Sequence, residues 1–289
     1  MHIGISPWGS SRGGMVAVAA AAVEAGVDTL WLGDGLLVVP DFPPWSGGME
    51  SFSELAWLAG RYPTAGIGIT AAVLPLRDVM WVAKQAASLD HLTEGRFTLV
   101  VTPGIWEREF AYRGLEFESR GRRFEESIKA LRAAFRGEPY DGEYVSLPEE
   151  GRLSPIPLTD GGPPIWLAGE RATMERALAL ELPFQARART PDQLAPLARE
   201  WFDRGGHELT VRIGLEIAAS VPTGDDASSS VAEVNRVVGP PGHLLDALRA
   251  YESLGVSDVS LMPGRDDTTS LVTIEALGSE ILPALRAGR

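Results

Sequence analysis

The chain has 289 residues, 45% of them hydrophobic and 22% charged, with a formal net charge of −13. That length and composition suit a globular protein built as one (β/α)8 barrel or two medium domains. The charge argues against nucleic acid or an anionic membrane surface as a partner, and no run of roughly eighteen apolar residues offers a membrane span.

Ile3-Gly4-Ile5-Ser6 reads as a first strand, with Pro7-Trp8-Gly9 as the loop at its end. No basic and apolar leader is visible ahead of it, so a cytoplasmic location is expected. Met15 to Ala25 is an alanine-rich helix closed by Gly26. Thr29-Leu30-Trp31-Leu32-Gly33 is a second strand ending in Asp34-Gly35. The proline- and glycine-rich loop from Val38 to Glu50 is expected to be a mobile lid, and Ser51 to Gly60 a short helix. Ile67 to Ala71 is a run of small and β-branched residues, the pattern of a strand buried on both faces. Asp78 is placed to cap a helix whose inner stripe is Val79, Val82, Ala83, Ala86 and Leu89. Phe97 to Val101 then completes a βαβ unit, expected to cross over right-handed.

After the loop Thr102-Pro103-Gly104-Ile105-Trp106, Glu107 to Gly114 is a short helical turn. Arg120 opens a helix with Phe124, Ile128, Leu131 and Phe135 on one face. Residues 137–164 are rich in proline and glycine, with weak strand character at Glu143-Tyr144-Val145, and read as an excursion rather than a linker. Ile165-Trp166-Leu167-Ala168, Phe184-Gln185-Ala186, Val211 to Ala219 and Val259-Ser260-Leu261 are the remaining strands. Helices run to Leu182, from Pro191 to Arg204, from Pro240-Pro241 along Leu244, Leu248, Tyr251 and Leu254, and along Leu271, Ile274, Leu277 and Ile281. The polar segment from Val221 to Ser230 is expected to be a second lid. Eight strands alternating with helices predict an α/β fold, a single (β/α)8 TIM barrel spanning residues 1–289, with ligands at the carboxyl ends of its strands.

Cysteine is absent, which removes disulfides, thiolate nucleophiles and cysteine-ligated metals together. His2, His91, His207 and His243 are scattered without ligand spacing, so no metal is expected. The absence of a nucleophile-base motif leaves a barrel hydrolase without support.

Several stretches carry a family resemblance. They are Gly26-Val27-Asp28-Thr29-Leu30-Trp31-Leu32-Gly33-Asp34, then Leu74-Pro75-Leu76-Arg77 with Ala83-Lys84-Gln85 and Leu89-Asp90. Gly95-Arg96-Phe97, Glu107-Arg108-Glu109-Phe110 and Phe117-Glu118-Ser119-Arg120-Gly121-Arg122-Arg123 follow. Leu153-Ser154-Pro155, Pro163-Pro164-Ile165-Trp166 and Leu261-Met262-Pro263-Gly264-Arg265-Asp266-Asp267 complete the set. In order and across nearly the whole chain, they resemble the bacterial luciferase-like family of flavin and deazaflavin oxidoreductases. The resemblance implies a barrel that binds coenzyme F420 or FMN and acts on a small-molecule substrate as a homodimer. Overall similarity leans toward the F420-dependent branch.

By that resemblance, Ala71–Ala72 is expected to be a non-proline cis peptide backing the cofactor ring, with a plain strand end as the alternative. Asp34-Gly35 stands where the family often has Asp-His, which leaves Asp34 as the candidate catalytic residue. Its alternative is a turn residue bonding its own loop amides. Thr102 and Gly104 lie on the loop that approaches the cofactor; the family tends to have glycine at Val100 and Thr102, and in some members an acid at Ile105. Gly169, Glu170 and Arg171 stand at the helix N-terminus that cradles a phosphate. Arg171 and Arg176 suit an anion and Glu170 opposes one, although a solvated helix face also explains the arginines. Trp8, Trp45 and Trp106 fall on loops at the ligand end, to line a substrate pocket or to pack the loops. Glu107 and Glu109, near the mouth, are candidate acids, with a solvated helical turn as the stronger reading. The leading function is an F420- or FMN-dependent oxidoreductase, by hydride transfer or monooxygenation. The alternative is a family member that has lost its cofactor and serves as a binding or accessory protein, as the departures at Gly35, Val100, Thr102, Ile105 and Glu170 allow.

Overall fold

The structure is a computed structural model, and it describes residues 1–37, 48–221 and 235–287. Trp45 and nearly all of the two expected lids lie outside the described residues. The chain runs β1 (His2–Ile5), α1 (Arg12–Glu24), β2 (Thr29–Leu32), α2 (Ser51–Arg61), β3 (Gly66–Val73), α3 (Val79–Leu92) and β4 (Phe97–Thr102). It continues through α4 (Glu107–Tyr112), α5 (Arg120–Arg136), β5 (Tyr140–Asp141), β6 (Ser146–Leu147), β7 (Ile165–Gly169), α6 (Arg171–Leu180) and β8 (Phe184–Arg187). The last elements are α7 (Pro191–Asp203), β9 (Leu209–Ile217), β10 (Arg236–Gly239), α8 (Pro241–Ser253), β11 (Val256–Pro263), α9 (Asp267–Ala276) and α10 (Leu282–Arg286).

The hydrogen-bonded order is β10-β9-β11-β1-β2-β3-β4-β7-β8, and β9 also pairs with β8. Eight parallel strands therefore close into the expected (β/α)8 barrel, with β10 added along β9. The described residues divide into two compact units: 1–32, 48, 170–221 and 235–287 in one, 33–37 and 49–169 in the other.

In the unit of residues 33–37 and 49–169, Asp78 caps α3 by accepting the Trp81 amide at 2.9 Å, and the expected stripe from Val79 to Leu89 is buried. Phe124, Ile128, Leu131 and Phe135 bury the inner face of α5. The excursion differs from expectation. Glu143-Tyr144-Val145 is the turn between β5 and β6 rather than a strand. The reason is a side chain: the Glu126 carboxylate accepts all three of their amides, at 3.1, 2.6 and 2.6 Å, supplying the acceptors a strand partner would otherwise provide.

In the other unit, Ser11 caps α1, and the Gln193 side chain accepts the Thr190 amide at the start of α7. On α9, Leu271 is 36% exposed. Ser270 and Thr273 occupy the inner stripe with Ile274 and are buried. Their hydroxyls serve the strand ends, Ser270 Oγ donating to the Pro263 carbonyl and Thr273 Oγ1 accepting the Ile217 amide.

Candidate functional site

Four of the candidate residues meet around Val73, the last residue of β3. Ala72 is in register with Val101 of β4 and Val73 with Thr102. Gly104 has φ +83°, and a Cβ on it would lie 2.7 Å from Val73 Cγ1, so only glycine lets the β4 loop pass this close. Val73, Leu76 and Phe110 form a small buried cluster, with Phe117 edge-on to Phe110 at 5.3 Å. Asp34 completes the set, its Oδ2 accepting the Val73 amide at 3.0 Å.

The cis peptide lies one bond earlier than expected, at Thr70–Ala71 rather than Ala71–Ala72. The β3–β4 register shifts between Ile69 and Ala72, so the irregular backbone falls inside that bulge and Ala72 is already back in the ladder.

Asp34 is 5% exposed and fully engaged. Besides Val73, it accepts Arg77 Nε at 2.9 Å and Arg77 Nη2 at 2.5 Å, and Ser51 Oγ lies 3.3 Å from Oδ1. The third Arg77 nitrogen reaches Glu50, whose carboxylate also caps α2 through the Phe52 and Ser53 amides. Burial works against the Arg77 charge, but the hydrogen bonds and charge of Asp34, with Glu50 behind them, hold its pKa above the ordinary arginine value. Burial likewise pushes Glu50 up, and the Ser53 and Phe52 bonds with the Arg77 charge outweigh it and lower its pKa. In this geometry Asp34 is a positioning residue that holds the β3 end through the Val73 amide. Glu109 plays a similar part: it is buried, and its Oε1 accepts the amides of Leu36 and Leu37 at 2.7 and 3.2 Å. It is not the solvated turn residue expected from sequence.

Gly169 ends β7 and is half-buried. The α6 N-terminus begins at Glu170, whose carbonyl accepts the Thr173 and Met174 amides. The amides of Arg171 and Ala172 precede that point and have no acceptor within the helix. The Glu170 carboxylate is held by Arg189 Nη2 at 2.5 Å. The Arg171 side chain turns to α7, where it pairs with Glu200 at 2.8 Å and is 66% exposed. Arg176 bonds the Ala172 carbonyl of its own helix. Arg189, not Arg171 or Arg176, is thus the arginine tied to Glu170, and sequence spacing alone did not single it out. Trp8 and Trp106 are both half-buried on their loops.

Residues 6–236 match the family described as luciferase-like monooxygenase. The chain belongs to this family. A flavin-dependent trigonelline monooxygenase oxygenase component from Acinetobacter baylyi is 26% identical over 157 residues, 53% of this chain and 42% of that protein. An F420-dependent glucose-6-phosphate dehydrogenase from Mycobacterium avium is 33% identical over 166 residues, 53% of this chain and 46% of that protein. The matched stretches span less than half the length of these two relatives. Among solved structures, monooxygenase RslO1 from Streptomyces bottropensis superposes with a TM-score of 0.80 at 15% identity, covering 98% of this chain and 99% of that one. An F420-dependent secondary alcohol dehydrogenase does so at 0.77 and 16%, covering 99% of each. No helix among the described residues is long and apolar enough to cross a membrane.

Proposed function

We propose that this protein is an oxidoreductase that uses coenzyme F420, with FMN as the alternative cofactor, on a small organic substrate. The observation that carries this reading is the family match over residues 6–236, within which relatives of both cofactor classes occur. Each unit, taken by itself, offers groups that suit part of such a cofactor. The amides of Arg171 and Ala172, which have no acceptor within α6, suit a phosphate, with the Arg189 charge alongside offsetting Glu170. The small residues Ala71 and Ala72 and the closely packed Gly104 suit a flat ring approaching the β3 end.

The cofactor, when bound, supplies the hydride-transfer or oxygen-activating chemistry. The chain's part is to hold and orient. Asp34 fixes the Val73 amide, and Arg77 locks Asp34 against Glu50, so the β3 end is fixed before any ligand arrives. Glu109 orders Leu36 and Leu37 after β2. Trp8 and Trp106 are proposed to line the substrate side, and the protein is proposed to work as a cytoplasmic homodimer.

The cofactor-free accessory role draws on one feature: with Asp34 saturated by Arg77 and Gly35 beside it, the described residues just after β2 carry no group poised for proton transfer. Titration with F420 and with FMN, followed by fluorescence, separates the readings. Micromolar binding of either, tightened in a Glu170→Gly variant, is expected for the oxidoreductase. No binding of either, to native protein or to Glu170→Gly, would leave the accessory role standing.

A further inference from the structure

A cavity of about 320 Å³ opens between the start of α3, the first half of α5 and the β5–β6 hairpin. It lies wholly within the unit of residues 33–37 and 49–169. Its walls include Pro75, Met80, Arg123, Ser127 and Tyr144. The hairpin wall is held by a side chain of α5. Glu126 accepts the Glu143, Tyr144 and Val145 amides, and Gly142 lets the turn come this close: a Cβ there would meet Glu126 Oε1 at 2.3 Å. That fixes the backbone of Tyr144, whose ring centre lies 4.1 Å from the Arg123 guanidinium carbon.

Arg123 is held from a second side, where Ser119 Oγ accepts its Nε at 2.9 Å. Its Nη nitrogens have no acceptor, and it makes no ion pair, among the described residues. Ser127 is four residues on and so shares a face of α5 with Arg123. It is 4% exposed, and its hydroxyl has no hydrogen-bond partner among the described residues. A helical serine can return its hydroxyl to the carbonyl four residues back; this one lines the cavity without doing so. Val79 and Met80 bring the start of α3 to the same cavity, and their amides precede the first acceptor within that helix.

The neighbouring acids set the charge that this cavity takes. Asp34 and Glu50 are bound to Arg77, which also lines it. Glu143 pairs with Arg122 at 3.4 Å, and Glu126 is turned to the hairpin amides. Asp78 lines the cavity too, exposed to water and capping α3. With Arg77 answered by two carboxylates, Arg123 matches a single negative charge, and Asp78 would repel a second.

We propose that this cavity binds a small organic carboxylate. Its charged end is held by Arg123 and Ser127 beside the start of α3, and its apolar remainder lies against Pro75, Val79 and Met80. Guanidinium and hydroxyl donors, with the positive end of a helix, are what a carboxylate accepts. The site stands apart from the oxidoreductase reading and needs no cofactor.

The test titrates the full chain, free of cofactor, with sodium benzoate by calorimetry at constant ionic strength. Benzamide serves as the neutral match and sodium sulfate as the dianion. Saturable benzoate binding with a roughly millimolar Kd is expected, about tenfold tighter than benzamide. Arg123→Gln should weaken it about tenfold and Ser127→Ala by less, because charge-assisted bonds outweigh neutral ones. Arg122→Gln should leave it unchanged, since that side chain is 67% exposed and stands outside the cavity walls. Equal affinity for benzoate and benzamide overturns the site, as does equal benzoate affinity in the native and Arg123→Gln proteins. Sulfate binding more tightly than benzoate overturns the carboxylate assignment. If Arg123→Gln does not fold, Ser127→Ala and the benzoate-to-benzamide ratio carry the test. Repeating the benzoate titration with FMN or F420 at saturation separates this cavity from the cofactor: unchanged affinity supports the site, and displacement overturns it. A chain that binds benzoate through Arg123 but neither cofactor overturns the oxidoreductase reading alone. One that binds a cofactor but no benzoate overturns this site alone.

Discussion

Asp34 and Asp258 are equally buried, each 5% exposed, yet they live in opposite electrostatic worlds. Asp34, at the carboxyl end of β2, has a bidentate arginine, a backbone amide and a hydroxyl around its oxygens. Asp258, near the amino end of β11, has an Oδ1 with no hydrogen-bond partner, and Asp28 and Glu208 are the charges it feels. Burial first, then those two carboxylates, push its pKa from 3.8 up to about 8, against a small opposing pull from the chain's amino terminus. The comparison teaches that equal depth does not mean equal surroundings: one acid is ringed by donors, and the other keeps an oxygen with no partner. At the carboxyl end of β2 the fold supplies those donors. At the far end it leaves the acid to keep its proton.

Breaking the paired acid should have the largest effect. Asp34→Ala leaves Arg77 buried with only Glu50 to answer it and releases the Val73 amide. A loss of about 3–5 kcal/mol is expected, as for other buried pairs stripped of one partner. Urea denaturation measures it. A loss under about 1 kcal/mol would show that the network is ornamental, and Asp34 would return to candidacy as a catalytic group.

The unpaired acid should respond in the opposite sense and only with pH. Above about pH 4 the unfolded chain has released this proton, while the folded chain keeps it to about 8. The folded state then binds more protons, so this group's contribution to stability is complete below about pH 4 and falls as pH rises toward 8. Asp258→Asn keeps the shape without the titration. It should be about as stable as the native chain at pH 4 and about 2–3 kcal/mol more stable at pH 8, the order of a pKa shift of a few units discounted for relaxation. Parallel stability curves at every pH would refute the raised pKa.

Much of this was legible in the sequence, and the misses have physical causes. Strand and helix order follows from apolar periodicity, and caps such as Asp78 come from local chemistry that a reader can see. Glu143-Tyr144-Val145 looked like a strand because its residue types suit one; a carboxylate seventeen residues earlier decided otherwise. Asp34 was found, but its job was not, because Arg77 lies 43 positions away and sequence does not show which charges meet.

The smallest effect concerns Arg171 and Arg189, and it carries the same comparison to the start of α6. Arg171 is 66% exposed and bound to Glu200, so Arg171→Ala should change stability by no more than about 1 kcal/mol, the ordinary worth of a surface pair. It should also leave cofactor affinity nearly unchanged, because its charge is directed at α7. Arg189 is the partner of Glu170, and Arg189→Ala frees that carboxylate beside the α6 amides, where it repels a phosphate. The expected loss of FMN or F420 affinity is about tenfold, and Glu170→Gly in the same protein should restore it by removing the repelling charge. Fluorescence titration of the two single variants and the double variant reads all three values at once. If Arg171→Ala weakens binding more than Arg189→Ala does, Arg171 leaves Glu200 when ligand arrives, and the charge arrangement seen here is not the one that meets the phosphate.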